Sequence, residues 1–146
     1  MGYLIPPRKR PTTDEEYFEI LSKAVFLAGF NWKVVEQKWP GFVQVFNGFR
    51  FTEIALWDEQ TIVAAASNTT IIRNIRKVRA VVSNAQEFLS VVKEYGSFRE
   101  YIEKNREKPY PERSKILTRR FKWLGRTGVF FFLFSVNEEV PDWTER

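Results

Sequence analysis

Ile71, Ile75, Val78, Val82, Ala85, Leu89 and Val92 recur at alternating separations of four and three residues. Only an α-helix gathers such positions onto one face, so the spacing predicts a long helix over 70–95. This is the strongest periodicity in the chain, and no segment shows the apolar–polar alternation of a half-buried strand. Caps and breakers elsewhere agree. Thr13 or Asp14 can cap a first helix, with Asp14, Glu15 and Glu16 suiting its positive end. Tyr17, Leu21, Ala24, Val25 and Ala28 form its apolar stripe, and Gly29 stops it. Asn31 can cap a second helix that Pro40 ends. Short helices are expected over 42–47, 53–56 and 59–65, with Gly48 as a break and Thr52 and Asp58 as caps. Gly96 closes the long helix, and Ser97 caps another over 98–106. Pro109 and Pro111 bound a loop, followed by helices over 112–123 and up to Val136. The expected fold class is all-α. A single compact domain at 14–146 follows a Pro-rich, basic, flexible arm at 1–13.

Composition narrows the chemistry. A chain of 146 residues, 44% hydrophobic, can bury one real core. No stretch approaches the roughly 20 apolar residues that span a bilayer, so no membrane partner is expected. Arg8-Lys9-Arg10 follows the apolar N-terminal residues instead of preceding them, which does not read as a signal peptide, and a cytoplasmic location is the expectation. The 146 residues hold no Cys and no His, which removes thiol nucleophiles, Ser-His-Asp triads and Cys/His zinc sites. Neither a cofactor nor a metal is expected. The net charge of +5, from 23 Lys+Arg against 18 Asp+Glu, suggests an anionic partner.

The position of the charge supports that suggestion. Glu112–Arg126 carries six basic residues, Arg113, Lys115, Arg119, Arg120, Lys122 and Arg126, against the single acid Glu112. Lys115, Arg119 and Lys122 fall on one helical face and Leu117, Phe121 and Leu124 on another. The basic face runs into Leu124-Gly125-Arg126-Thr127-Gly128, and the apolar run Val129–Val136 follows. Glycines there permit positive φ and close backbone approach. The amides of residues 126–129 would open the last helix, where unpaired N–H groups and the helix dipole favour a phosphate. Arg73, Arg76 and Lys77 form a second basic cluster, either facing an anionic partner or lying on a solvated helix face. Glu19 is expected to pair with Lys23 one turn on.

Taken together, these segments resemble a known family. Tyr17-Phe18-Glu19-Ile20, Ala28-Gly29-Phe30-Asn31-Trp32, Ile71-Ile72-Arg73-Asn74 with Lys77-Val78, Ser114-Lys115, and Phe121-Lys122-Trp123-Leu124-Gly125 with Thr127 keep the order and approximate spacing of the DNA-3-methyladenine glycosylase I family. That family lies within the helix-hairpin-helix DNA glycosylases, and the resemblance covers about 14–143. It implies a bilobal all-α fold with a base pocket between the lobes, DNA held at the hairpin, and one nucleotide flipped from the stack. It also implies a cationic lesion, 3-methyladenine, whose ring charge already weakens the glycosidic bond and which aromatic rings attract. Trp32 corresponds to the pocket tryptophan of the family; the alternative is a core tryptophan at a helix start. The pocket glutamate of the family, eight residues earlier, falls on Ala24, and two pocket glutamines fall on Phe26 and Leu27. The zinc-binding Cys/His set is absent, so the chain ends must be held without metal. The N-terminal segment that supplies a pocket tyrosine is not recognisable.

The expected function is base-excision repair: flipping an alkylated base out of double-stranded DNA and hydrolysing its N-glycosidic bond, as a monomer. Trp32, Ala24, Phe26 and Leu27 would form the base pocket. Gly125, Arg126, Thr127, Gly128, Lys122, Arg119, Lys115, Arg73 and Arg76 would bind DNA. Asp142 is the candidate catalytic carboxylate, by analogy with an aspartate of the wider superfamily that stabilises the developing sugar cation. Glu138 and Glu139 compete with it. Because the pocket positions have turned apolar, a DNA-binding or lesion-sensing protein with little catalysis is the alternative. A protein-interaction module with a coincidentally basic face is a third reading.

Overall fold

The computed structural model describes residues 6–146, and among these it holds eight α-helices and no strand. The all-α expectation is met. Helix α1 (Asp14–Leu27) starts at Thr13, whose Oγ1 accepts from the Glu16 N–H at 3.1 Å. It ends at Gly29, whose φ of +68° suits the turn. Asn31 Oδ1 accepts from the Lys33 and Val34 N–H groups and opens α2 (Trp32–Val45). Two short helices follow, α3 (Phe51–Ile54) and α4 (Glu59–Ala66), the latter capped by Asp58. The long helix α5 (Ile75–Tyr95) packs on α1, α3, α4 and α6 (Phe98–Asn105). Helix α7 (Tyr110–Arg120) packs on α8 (Arg126–Ser135), and α8 on α1. Helices α1, α5 and α8 thereby surround an aromatic core, in which Phe88 stacks on Phe98 with ring centroids 4.3 Å apart.

Several boundaries differ from expectation. Pro40 does not end α2, which continues to Val45. Trp39 and Phe42, on either side of the proline, are both buried and stack at 4.9 Å, so packing outweighs the lost N–H. Beyond Pro40, a Cβ built on Gly41 would overlap the Thr70 carbonyl oxygen. Gly41→Ala should therefore destabilise the fold by about 1–3 kcal/mol through overpacking against backbone, measurable by urea unfolding.

The long helix begins at Ile75 instead of Thr70. Asn74 Oδ1 accepts from the Lys77 N–H at 3.2 Å and caps it, while Asn68 Oδ1 draws Thr70 into a turn. Ile75 is consequently exposed, and the buried face of α5 runs through Val78, Val81, Ala85, Phe88 and Val91. Helix α7 stops at Arg120, three residues early, and Gly128 lies inside the first turn of α8. Glu19 does not pair with Lys23. It accepts from Trp39 Nε1 at 2.9 Å, and Lys23 turns to Glu36.

Of the expected arm, residues 1–5 lie outside the described residues, and Arg8 and Lys9 contact the end of α8. The Lys9 N–H donates to Ser135 O at 3.0 Å, and the Arg8 guanidinium bonds Phe134 O while covering its ring. Pro11 is buried. The anchor for this region is Glu138, only 2% exposed, which takes two hydrogen bonds from Arg106 at 2.9 and 2.8 Å and one from Arg10 at 3.5 Å. This cluster joins the two ends of the described chain through ion pairs. It also removes Glu138 from the candidate catalytic carboxylates, because both of its oxygens are engaged by arginine.

Candidate nucleic-acid interface and base cavity

A cavity of about 470 Å³ opens between the C-terminal end of α1, the start of α2 and the N-terminal end of α8. Ala24, Leu27, Ala28, Gly29 and Phe30 form one wall, Trp32 and Phe131 another, and Gly125-Arg126-Thr127-Gly128 the third. Three expectations meet here. Trp32 is a wall residue, Ala24 and Leu27 line the same space, and the glycine turn faces it. The indole of Trp32 meets Phe131 edge-on at 5.5 Å and Trp143 edge-on at 6.4 Å, so an aromatic cluster backs the cavity. Gly128 is needed for closeness: a Cβ there would lie 3.2 Å from Leu124 Cδ1 and 3.9 Å from Ala24 Cβ.

Phe26 is the exception. It is 1% exposed and packs on Phe42 at 4.5 Å, pointing into the core and not the cavity. Its backbone carbonyl, however, has a role. Lys77 Nζ donates to Phe26 O at 3.2 Å and to Ala28 O at 2.6 Å, holding the last turn of α1 against α5. Lys77 is thus a buried clamp and departs from the basic surface cluster in which the sequence places it. Burial pulls its ammonium pKa below the usual lysine value. The same ammonium sits 5.5 Å from the Trp123 ring centroid, which ties the cavity wall to the hairpin.

The hairpin between α7 and α8 is shaped differently from the expectation of glycine-borne positive φ. Gly125 has φ −87°, and the left-handed residue is Trp123, at φ +57°. A tryptophan in that region costs about 1 kcal/mol or more and persists only if its surroundings impose it. Asn84, buried on α5, does so: its Nδ2 donates to Lys122 O at 3.0 Å, and its Oδ1 accepts from the Lys122 N–H at 2.7 Å. Gly125 then caps α8 without a side-chain hydrogen bond. The first-turn amides of α8 are therefore left to a ligand or to water.

The basic residues divide into two groups. Arg113 is spent on the Lys108 and Glu139 carbonyls, and Arg120 on Glu87 and Glu94. Lys115, Arg119, Lys122 and Arg126 are exposed, as are Arg73 and Arg76 just before and within the first turn of α5. Arg119 also borders a separate groove with Glu87, Tyr95 and Lys108. Thr127 Oγ1 accepts from Arg146 Nε at 3.1 Å, and that guanidinium covers Trp143 at 3.8 Å. Asp142 is exposed and lies outside the cavity wall, one residue before Trp143.

Sequence reasoning overlooked Asn84, Phe131 and Trp143, and misplaced Lys77. For Asn84 a signal existed: an asparagine set among apolar residues of an otherwise apolar helix face must find a partner. The roles of the others depend on contacts between distant segments.

Known proteins share both the fold and the sequence pattern. The structure of 3-methyladenine DNA glycosylase I from Staphylococcus aureus superposes with a TM-score of 0.79 at 22% identity, over 88% of this chain and 79% of that one. A crystal structure of 3-methyladenine DNA glycosylase I gives 0.78 at 24% identity, over 88% and 81%. A solution structure of an enzyme of that name, concerned with alkylated-base recognition, gives 0.77 at 23% identity, over 93% and 83%. The methyladenine glycosylase sequence profile matches residues 9–122, ending just before Trp123. With most of its length inside that match, the chain belongs to the methyladenine glycosylase family.

Proposed function

We propose that the protein is a DNA repair glycosylase that binds duplex DNA at the α7–α8 hairpin and flips an alkylated base into the cavity beside Trp32. There it hydrolyses the N-glycosidic bond. The observation that carries this reading is the shared wall: the turn suited to a phosphate, Gly125–Gly128, also borders the aromatic cavity. A phosphate on the amides of α8 fixes the backbone next to the cavity mouth. Phe30, 43% exposed at that mouth, is placed to enter the gap a flipped nucleotide leaves, as apolar wedges do between base steps.

The chemistry asks little of the protein. In an N3-methylated adenine nucleotide the base carries the positive charge. As the C1′–N bond breaks, its electron pair neutralises the ring, water oxygen bonds to C1′, and the water proton passes to solvent. No acid is required to protonate the leaving base, which fits a cavity wall that has no carboxylate among the described residues. Trp32 and Phe131 attract the cationic ring and hold it out of the stack. Asp142 acts from the solvent side on the developing sugar cation. A carboxylate this exposed works through high dielectric, so Asp142→Asn should slow release by only about tenfold or less, measured under single turnover. The described residues of one chain form both the cavity and the hairpin, which supports a monomer as the working form. We place it in the cytoplasm.

Lys122 and Arg126 flank the turn, and each phosphate contact contributes about 0.9 to the slope of log affinity against log salt. The double substitution Lys122→Ala/Arg126→Ala should flatten that slope by about 1.8. An unchanged slope would place DNA elsewhere. Alkali-labile abasic sites formed in methylated duplex test the reading as a whole. A duplex that stays alkali-stable at excess enzyme overturns it. Tight, salt-dependent binding with no abasic sites would favour the lesion-sensing alternative, which the apolar Ala24 and Leu27 wall motivates.

A further inference from the structure

Side chains of the cavity wall offer few hydrogen-bond acceptors, and the free α8 amides on its third side are assigned above to a phosphate. Ala24, Leu27 and Ala28 supply only aliphatic side chains, and among the described residues none that lines the cavity carries a carboxylate or a carboxamide. The Ala28 carbonyl already accepts from Lys77 Nζ at 2.6 Å, and Thr127 Oγ1 from Arg146 Nε at 3.1 Å, which leaves each with reduced accepting capacity. Among the described residues, Arg126 is the one charged side chain in the wall; it is exposed and cannot accept a hydrogen bond. What the cavity does offer is π-surface, from Trp32 and Phe131.

Such a wall can recognise a flat cationic ring but has few means of reading the edge of that ring. Adenine and guanine differ at that edge: one carries an exocyclic amine where the other carries an oxo group. A site that pairs with an exocyclic group rejects the analogue lacking it by about 10⁴–10⁵, whereas an apolar pocket discriminates by about a hundredfold at most. Stacking and cation–π attraction are common to every N-methylated purine.

Resting on the glycosylase reading above, we infer that this cavity is a broad-specificity site. It accepts N3- and N7-methylated purines, adenine and guanine alike, and selects on ring charge and shape. The bond broken and the proton released are the same for each base.

The test uses duplex DNA methylated with dimethyl sulfate, incubated with the intact protein, and released bases are separated chromatographically. Each rate is divided by that base's spontaneous loss from the same DNA. The accelerations of 3-methyladenine, 3-methylguanine and 7-methylguanine should fall within about a hundredfold of one another. Release of 3-methyladenine alone, with the others more than about a thousandfold behind, overturns the inference and leaves the glycosylase reading standing. No release of any base overturns both. Ala24→Gln, which adds an acceptor and donor to the wall, should widen the spread at least tenfold; an unchanged spread also counts against the inference.

Discussion

Trp32→Ala is expected to slow base release by about 10- to 100-fold, while duplex affinity stays within about threefold. The separation of the two effects follows from the layout. Trp32 borders the cavity and meets Phe131 and Trp143 edge-on, so in the proposed mechanism it contacts the base only after flipping. Base–aromatic stacking is worth about 1–3 kcal/mol by alanine substitution, which sets the size of the rate loss. Exposed Lys115, Lys122 and Arg126, which we propose hold the phosphates, are untouched by the change. A parallel fall in affinity and rate would instead assign Trp32 to the fold or to the DNA surface. Trp32→Phe, which keeps a π-face, should recover most of the rate.

Glu138→Ala is the substitution expected to cost most in stability. The carboxylate is 2% exposed and binds Arg106 through both oxygens and Arg10 through one. Breaking a fully buried ion pair costs about 3–5 kcal/mol, but both guanidiniums here remain over a third exposed, and about 2–3 kcal/mol is the discounted expectation. For a chain of this size that corresponds to roughly 5–10 °C in Tm. Hydrogen bonding to Glu138 raises the pKa of Arg106 further above its already high value, so the arginine stays charged at any working pH. Loss of Glu138 should also release residues 8–10 from Ser135 and Phe134, seen as faster amide exchange at Lys9.

Helix starts were legible because their determinants are local. Thr13, Asn31, Asp58 and Ser97 each cap the helix that follows, through a side-chain oxygen two or three residues away. Helix ends and interruptions were less so. Pro40 carries a strong local instruction to stop, yet Trp39 and Phe42 are buried against segments distant in sequence. The same contrast holds in the site. Trp32, Ala24, Leu27 and the glycine turn could be placed by matching motifs, and the cavity unites them. Lys77 looked like a surface cation because its neighbours Arg73 and Arg76 are exposed; only the tertiary structure brings the Phe26 and Ala28 carbonyls within its reach. The Glu138 cluster joins residues 128 positions apart, and no local pattern announces such a pair.

The cavity beside Trp32 is the proposed place of base cleavage. Single-turnover release of free base from methylated duplex, with enzyme in excess so that binding no longer limits the rate, tests it most directly. The prediction is measurable release by the unmodified protein and at least about tenfold slower release by Trp32→Ala. Equal rates for the two proteins, or release by neither, would contradict it.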